Sequence, residues 1–382
     1  MAFKKKVLVF AGVFLLLAFF VTSCAPAAQS PTTTSPTQSP TPTPTEKKLK
    51  VAFIYVGPIG DGGWTYEHDQ GRKMLEQQVP GVETAYVESV PEGADSTKVI
   101  RDFAQKGYDV IITTSFGYMD PTIEVAKDFP NIVFLHCSGY KTAPNVGTYF
   151  GKIEEPRYLS GMVAGKMTKT NLIGYVAAHP IPEVIRGINA FTLGIKAVNP
   201  DAEVRVVWTL TWYDPAKERQ AAEGLLDVGC DIIAQHQDTP GPQQAAEARG
   251  VYGVGYDSDM SKFAPNAVLT SPIWKWGVYY VDAVKRIKAG TWQTEQFWGG
   301  MKDGIVDLAP LASFVPDDVR KMVEDKKKEI LDGKFSIFDI FSGPLKDQTG
   351  QIRVEEGKKM TGDEILNMKW FVEGVVGEIP PE

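Results

Sequence analysis

Short apolar runs alternate with amphipathic stretches along most of this chain, and the alternation runs through twice. Strand-length runs at 50–56 (KVAFIYV), 82–87, 110–113 (VIIT) and 132–135 are separated by helical patterns at 64–78, 95–106 and 120–129. Buried strands that alternate with helices imply a parallel sheet covered on both faces. After a strand at 146–150 and a helix at 155–168 the rhythm restarts. Strands follow at 172–176, 204–208, 231–234, 252–256 and 267–270, with helices at 182–199, 215–226 and 242–249. Two doubly wound α/β sheets in sequence predict two Rossmann-like lobes around a cleft, joined by hinge strands near Phe150, near Ser271 and after Gly290. The lobes are expected to comprise 48–150 plus about 271–290, and 151–270 plus about 291–382. The end of the chain is less regular. It has helical patterns at 274–289 and 317–332, a hairpin arm at 351–354 after the turn 347–350, and a short helix at 360–368.

The first residues constrain where the fold works. Lys4, Lys5 and Lys6 precede an apolar run over 7–21, and Val21-Thr22-Ser23-Cys24 follows. A basic region, a short apolar core and small residues make an export signal, too short for a comfortable membrane span of about 20 residues. Residues 1–23 are therefore expected to be a signal peptide. Its end resembles a bacterial lipobox, in which Cys24 is lipidated. Residues 25–45 are almost entirely Ala, Gln, Ser, Thr and Pro. Such a segment buries too little surface to offset its ordering entropy, and its prolines make it an extended spacer. Residues 24–47 are expected to tether the folded body to the outer face of a membrane.

Charge and motifs exclude several functions. The formal charge is −7, and Lys326, Lys327 and Lys328 are flanked by Glu324, Asp325 and Glu329, so no basic patch points to nucleic acid. The glycine-rich loop 57–63 has Thr65 where a dinucleotide fingerprint needs its third glycine, and no Lys-Ser/Thr ends it as a P-loop requires. The four histidines form no metal-ligand spacing. No Gly-x-Ser-x-Gly elbow occurs. An enzyme is not expected, nor is a cofactor. Cys137 and Cys230 lie beside strand-like runs and read as buried free thiols.

Ligands of doubly wound sheets bind beyond the carboxyl ends of the strands. Those loops hold aromatic and polar residues together: Asp61, Trp64 and Tyr66; Ser115, Phe116 and Tyr118; Ser138 and Tyr140; His179 and Glu183; Trp212, Tyr213 and Asp214. The later loops hold Gln235, His236 and Asp238; Asp257, Ser258 and Asp259; and Ser271, Trp274 and Trp276. Aromatic faces stack flat molecules and carboxylates accept from N–H groups, a pairing suited to a planar, nitrogen-rich ligand.

The segments 50–64 (KVAFIYVGPIGDGGW), 150–155 (FGKIEE) leading to 160–165 (SGMVAG), and 253–257 (GVGYD) resemble the basic membrane protein family. That family consists of lipid-anchored substrate-binding proteins of ABC importers with a type I periplasmic-binding fold, and its members bind purine nucleosides or, in a subset, free bases. The resemblance covers about 50–290, with looser similarity beyond. It implies that Asp61 and Trp64 take the roles of the family's first-loop Asp and stacking aromatic, and that Asp257 takes that of its ribose-binding acid. Thr65 replaces the usual Asn. Trp274 stands three residues after Ser271, where the family's ribose-contacting Lys is usual, and this favours a free base such as adenine over a nucleoside.

From loops and resemblance together, the ligand residues are expected to be Asp61, Trp64, Tyr66, Ser115, Phe116, Ser138, His179, Trp212, Asp238, Asp257 and Trp274. The expected partners are ABC permease and ATPase subunits and the membrane, with the protein a monomer. A sugar binder of the same fold, or a receptor feeding a membrane sensor kinase, stays open at this stage.

Overall fold

In the computed structural model, which describes residues 48–381, the apolar runs become the central strands of two parallel sheets. β1 (Leu49–Ile54), β2 (Val82–Val87), β3 (Val110–Thr113), β4 (Val133–Cys137) and β5 (Val146–Gly151) alternate with α1 (Trp64–Gln78), α2 (Ala94–Gln105) and α3 (Met119–Ala126). α4 (Glu154–Met167) then opens the second half. β6 (Leu172–Ala177), α5 (Pro182–Lys196), β7 (Glu203–Trp208), α6 (Pro215–Asp227), β8 (Ile232–His236), α7 (Gly241–Ala248), β9 (Tyr252–Val254) and β10 (Val268–Thr270) repeat the pattern. Every residue of β3 and β8 is buried, which is why both read as unbroken apolar runs and not as alternating ones.

Both sheets have the same core order. The first runs β2-β1-β3-β4-β5 and the second β7-β6-β8-β9-β10, and all pairings are parallel. The strand order reverses between β1 and β3 in one lobe and between β6 and β8 in the other. These switch points are where such sheets open a ligand crevice. Close packing of α4 on α5 supports the second lobe. A Cβ on Gly161 would stand 2.1 Å from the Phe191 carbonyl oxygen, so only glycine permits this approach.

The remaining elements are β11 (Pro272–Trp274), α8 (Trp276–Lys288), β12 (Gln296–Gly299), β13 (Val306–Leu308), α9 (Asp317–Leu331), α10 (Ile337–Ile340), β14 (Leu345–Lys346), β15 (Ile352–Val354), α11 (Gly362–Leu366) and β16 (Val375–Val376). The chain leaves the first sheet after β5, returns after β10 and leaves again after β12. β11 and β13 pair antiparallel between the lobes as a hinge ribbon. Two expectations need correction. The hand-over at about residue 291 comes too early, because β12 pairs with β5 as an edge strand of the first sheet. The helix expected from 274 starts at Trp276, because Trp274 belongs to the hinge strand β11. The hairpin is present as β14 and β15, and β16 closes the far edge of the second sheet against β7.

Cys137 and Cys230 are free and buried. The signal, Cys24 and the spacer lie outside the described residues. Among those described, no helix is long and apolar enough to cross a membrane.

Candidate functional site

A small cavity opens where the two switch points face each other. The first lobe contributes Val56 and Trp64 from the β1–α1 connection, Ser115 and Phe116 after β3, and Ser138 after β4. The second contributes Glu183 from α5, Trp212 after β7, His236 and Asp238 at the end of β8, and Tyr256 after β9. Four aromatic side chains therefore surround the space, two from each lobe.

Trp64 opens α1. Its indole donates to the Thr114 carbonyl at 2.7 Å, which fixes the ring. Behind it the rings of Trp274 and Trp276 stack 4.4 Å apart, and both meet Trp64 edge-on, at 5.8 and 5.3 Å. On the opposite wall the Arg157 guanidinium lies 3.8 Å from the Tyr256 ring and donates to the Gln235 carbonyl at 2.7 Å. The cation over its face and the His236 ring, 4.5 Å away, hold the tyrosine ring in place.

The polar groups belong mostly to the second lobe. His236 Nε2 is 3.3 Å from the Tyr256 hydroxyl and 3.6 Å from a Glu183 oxygen. Burial holds His236 well below the usual histidine range, and it pushes Glu183 up to about 7. Asp238 is buried, and its Oδ2 has no partner. Burial, then the neighbouring charges of Asp257 and Asp61, pushes its carboxyl well above the usual range. Ser115 is turned away from free use, since its hydroxyl donates to Glu92 at 2.5 Å.

Of the expected site residues, Trp64, Ser115, Phe116, Ser138, Trp212 and Asp238 line the cavity. His179 sits beside it, its ring 4.7 Å from that of Trp212. The other four lie elsewhere, for identifiable reasons. Asp61 accepts from the backbone N–H groups of Gly63, Thr65 and Tyr66 at 2.8–2.9 Å, so it fastens the start of α1. The Tyr66 ring carries the Lys262 ammonium at 4.1 Å, a contact between lobes. Asp257 is fully buried and accepts from the Trp274 indole at 2.9 Å, and Trp274 is sealed in the aromatic stack. Glu183, His236 and Tyr256 were not among the expected binding residues. Glu183 and His236 stand among the loop residues the sequence brings forward but not in the final set, and Tyr256 lies just past β9, in the same post-strand position. Among the described residues no cluster of His, Cys, Asp and Glu is arranged to hold a metal ion.

The cleft is shut. Ser258 donates across it to the Gly62 carbonyl at 2.5 Å, and Gly63 lies against the Asp238 carbonyl.

A family model described as ABC transporter substrate-binding protein PnrA-like, named Bmp, matches residues 48–339. The chain belongs to the Bmp family. A purine-binding protein of Brucella abortus is 46% identical over 336 residues, covering 88% of this Bmp protein and 95% of the relative. A putative ABC transporter glucose-binding protein of Haloferax volcanii is 40% identical over 363 residues, covering 94% and 89%. Among solved structures, an ABC transporter solute-binding protein of Conexibacter woesei superposes with a TM-score of 0.62 at 25% identity, over 77% of this chain and all of that one. One from Aeropyrum pernix reaches 0.66 at 20% identity, over 80% and 94%, a likeness of fold. This Bmp protein is thus a substrate-binding protein of an ABC transport system, with the type I periplasmic-binding architecture. Proteins of this description capture a small molecule for transport.

Proposed function

We propose that this Bmp protein is the lipid-anchored, extracytoplasmic component of an ABC importer that captures a purine, the free base adenine in preference to a nucleoside. The observation that carries the reading is a small cavity between Trp64 and Phe116 on one side and Trp212 and Tyr256 on the other, with Asp238 and Glu183 at its edge. Aromatic faces suit a flat heterocycle, and carboxyls suit its N–H groups. The purine-binding relative in Brucella supports the same ligand class. Asp257 already accepts from Trp274, which places the carboxylate the resemblance pairs with ribose outside the cavity lining.

The Haloferax relative favours a second reading, glucose, whose ring also stacks on aromatics and bonds to carboxylates. Calorimetry with adenine, adenosine and glucose on one preparation separates the two. Adenine is expected to bind at least about tenfold tighter than adenosine, equivalent to about 1.4 kcal/mol, and glucose to give no heat. Glucose binding with adenine silent replaces the purine reading. Tighter adenosine binding keeps the purine and overturns the preference for the base. The anchor is tested by Cys24→Ala, which is expected to release the protein from the membrane fraction.

A further inference from the structure

Asp238 lines the cavity, is 95% buried by its 5% relative exposure, and has an oxygen with no partner in the protein. The charges of four acidic side chains act on it. Asp257 follows β9, Asp61 precedes α1, Glu183 is on α5 and Glu218 is on α6. Tyr213, after β7, is a further acid within reach of its charge, and His236, two residues away at the end of β8, is held neutral by burial. Three of these acids have support that Asp238 lacks, Asp61 through the backbone N–H groups of Gly63, Thr65 and Tyr66. Asp257 accepts from the Trp274 indole at one oxygen and feels the charge of Arg157 from α4, although its Oδ2, like that of Asp238, has no partner. Glu218 accepts from the Thr239 hydroxyl and from backbone N–H groups.

Carboxylates whose charges act on one another in a dry site resist being charged together, and a proton favours the one with the least support. A protonated carboxyl has one O–H donor and one acceptor, whereas a carboxylate has acceptors only. The amino and N7 edge of adenine also pairs one donor with one acceptor, and the matching edge of guanine offers two acceptors. We propose that Asp238 reads its ligand as a neutral carboxylic acid, donating from one oxygen and accepting at the other, so that capture of the base takes up one proton from solvent. The inference rests on the purine reading and sharpens it, from a purine in general to a ring edge with a donor beside an acceptor.

Closure supplies the coupling. Gly63 of the first lobe lies on the Asp238 backbone in the shut cleft, and Asp61 comes with it. Opening returns Asp238 to water, where a carboxyl ionises at about pH 4. The bound form therefore holds its proton to higher pH than the open form. Affinity should then weaken by about tenfold per pH unit between the two ionisations, for one linked proton.

The test is calorimetry of adenine binding from about pH 5.5 to 8.5, in buffers of differing ionisation enthalpy. The expected result is net uptake of close to one proton per adenine, with affinity falling as pH rises. Asp238→Asn keeps a donor and an acceptor on the same fork and cannot titrate. Its pH profile should be flat, with proton uptake abolished. Adenine binding by the parent without proton uptake, at a pH-independent affinity, overturns the inference and leaves the purine reading standing. Undiminished proton uptake in Asp238→Asn overturns it too, since another group then takes the proton. Absence of adenine binding at every pH overturns both.

Discussion

Trp64 has two tasks, and they can be separated by measurement. Its ring forms one wall of the cavity, while its indole N–H and edge contacts tie α1 to Thr114, Trp274 and Trp276. Trp64→Ala is expected to weaken ligand binding by about 1–3 kcal/mol through lost stacking. It should also lower folding stability by about 3–5 kcal/mol through the cavity it leaves. Calorimetry reads the first and denaturant unfolding the second; a stability loss with unchanged affinity makes Trp64 a packing residue only. The same division shows what single residues reveal before a structure is known. The places of Trp212, Phe116 and Asp238 at the cavity were legible because they follow strands. Asp61 misled because an acid at the start of a helix serves the helix itself, satisfying N–H groups that have no partner within it. Trp274 sits next to the site in sequence terms, yet its indole is spent on Asp257, a contact that only the hinge geometry creates.

The element that decides closure is the start of α1. A Cβ on Gly63 would stand 2.3 Å from the Asp238 carbonyl oxygen and 3.0 Å from an Asp257 oxygen, both in the other lobe. Nothing so close comes from its own lobe, so the obstacle exists only when the cleft shuts. Gly63→Ala should fold and remain open. We expect affinity to fall by at least about tenfold, which is 1.4 kcal/mol. The compaction that adenine produces in small-angle scattering should be lost. Compaction equal to the parent's would show that the loop yields and that Gly63 is no seal. The glycine-rich run over 57–63 is conspicuous in the sequence and matches no phosphate-loop pattern. Its positive use, letting two backbones meet across a cleft, depends on a contact between segments about 175 residues apart and has no local signature.

At the scale of the whole molecule, the two sheets were legible because buried parallel strands are unbroken apolar runs. The short strands β11, β12, β13 and β16 were not, since two to four residues show no period and their pairing is set by the hinge and the sheet edges. A consequence of building the site between two lobes is that many acids are buried at once. Burial pushes Asp61 up to about 6, and Glu67, Glu155, Glu183 and Glu218 to about 7. A carboxyl raised in the fold holds its proton longer there than in the unfolded chain. Its contribution to stability is full below its unfolded value near 4–4.5 and is lost as pH rises through about 6–7. His68, His136 and His236 act in the opposite sense. Burial lowers all three, so their contribution is full above about 6.5 and is lost as pH falls. Below about pH 6 the two effects oppose each other, whereas above it the histidines have little left to give and the carboxyls still lose theirs. Thermal unfolding of the ligand-free protein should therefore show a lower Tm at about pH 8 than at about pH 6. A Tm that rises over this interval would mean that these acids are already charged in the fold, supported by water or by an open cleft. Adenine should raise the Tm more at the lower pH than at the higher, because there the site is already supplied with the proton that closure demands.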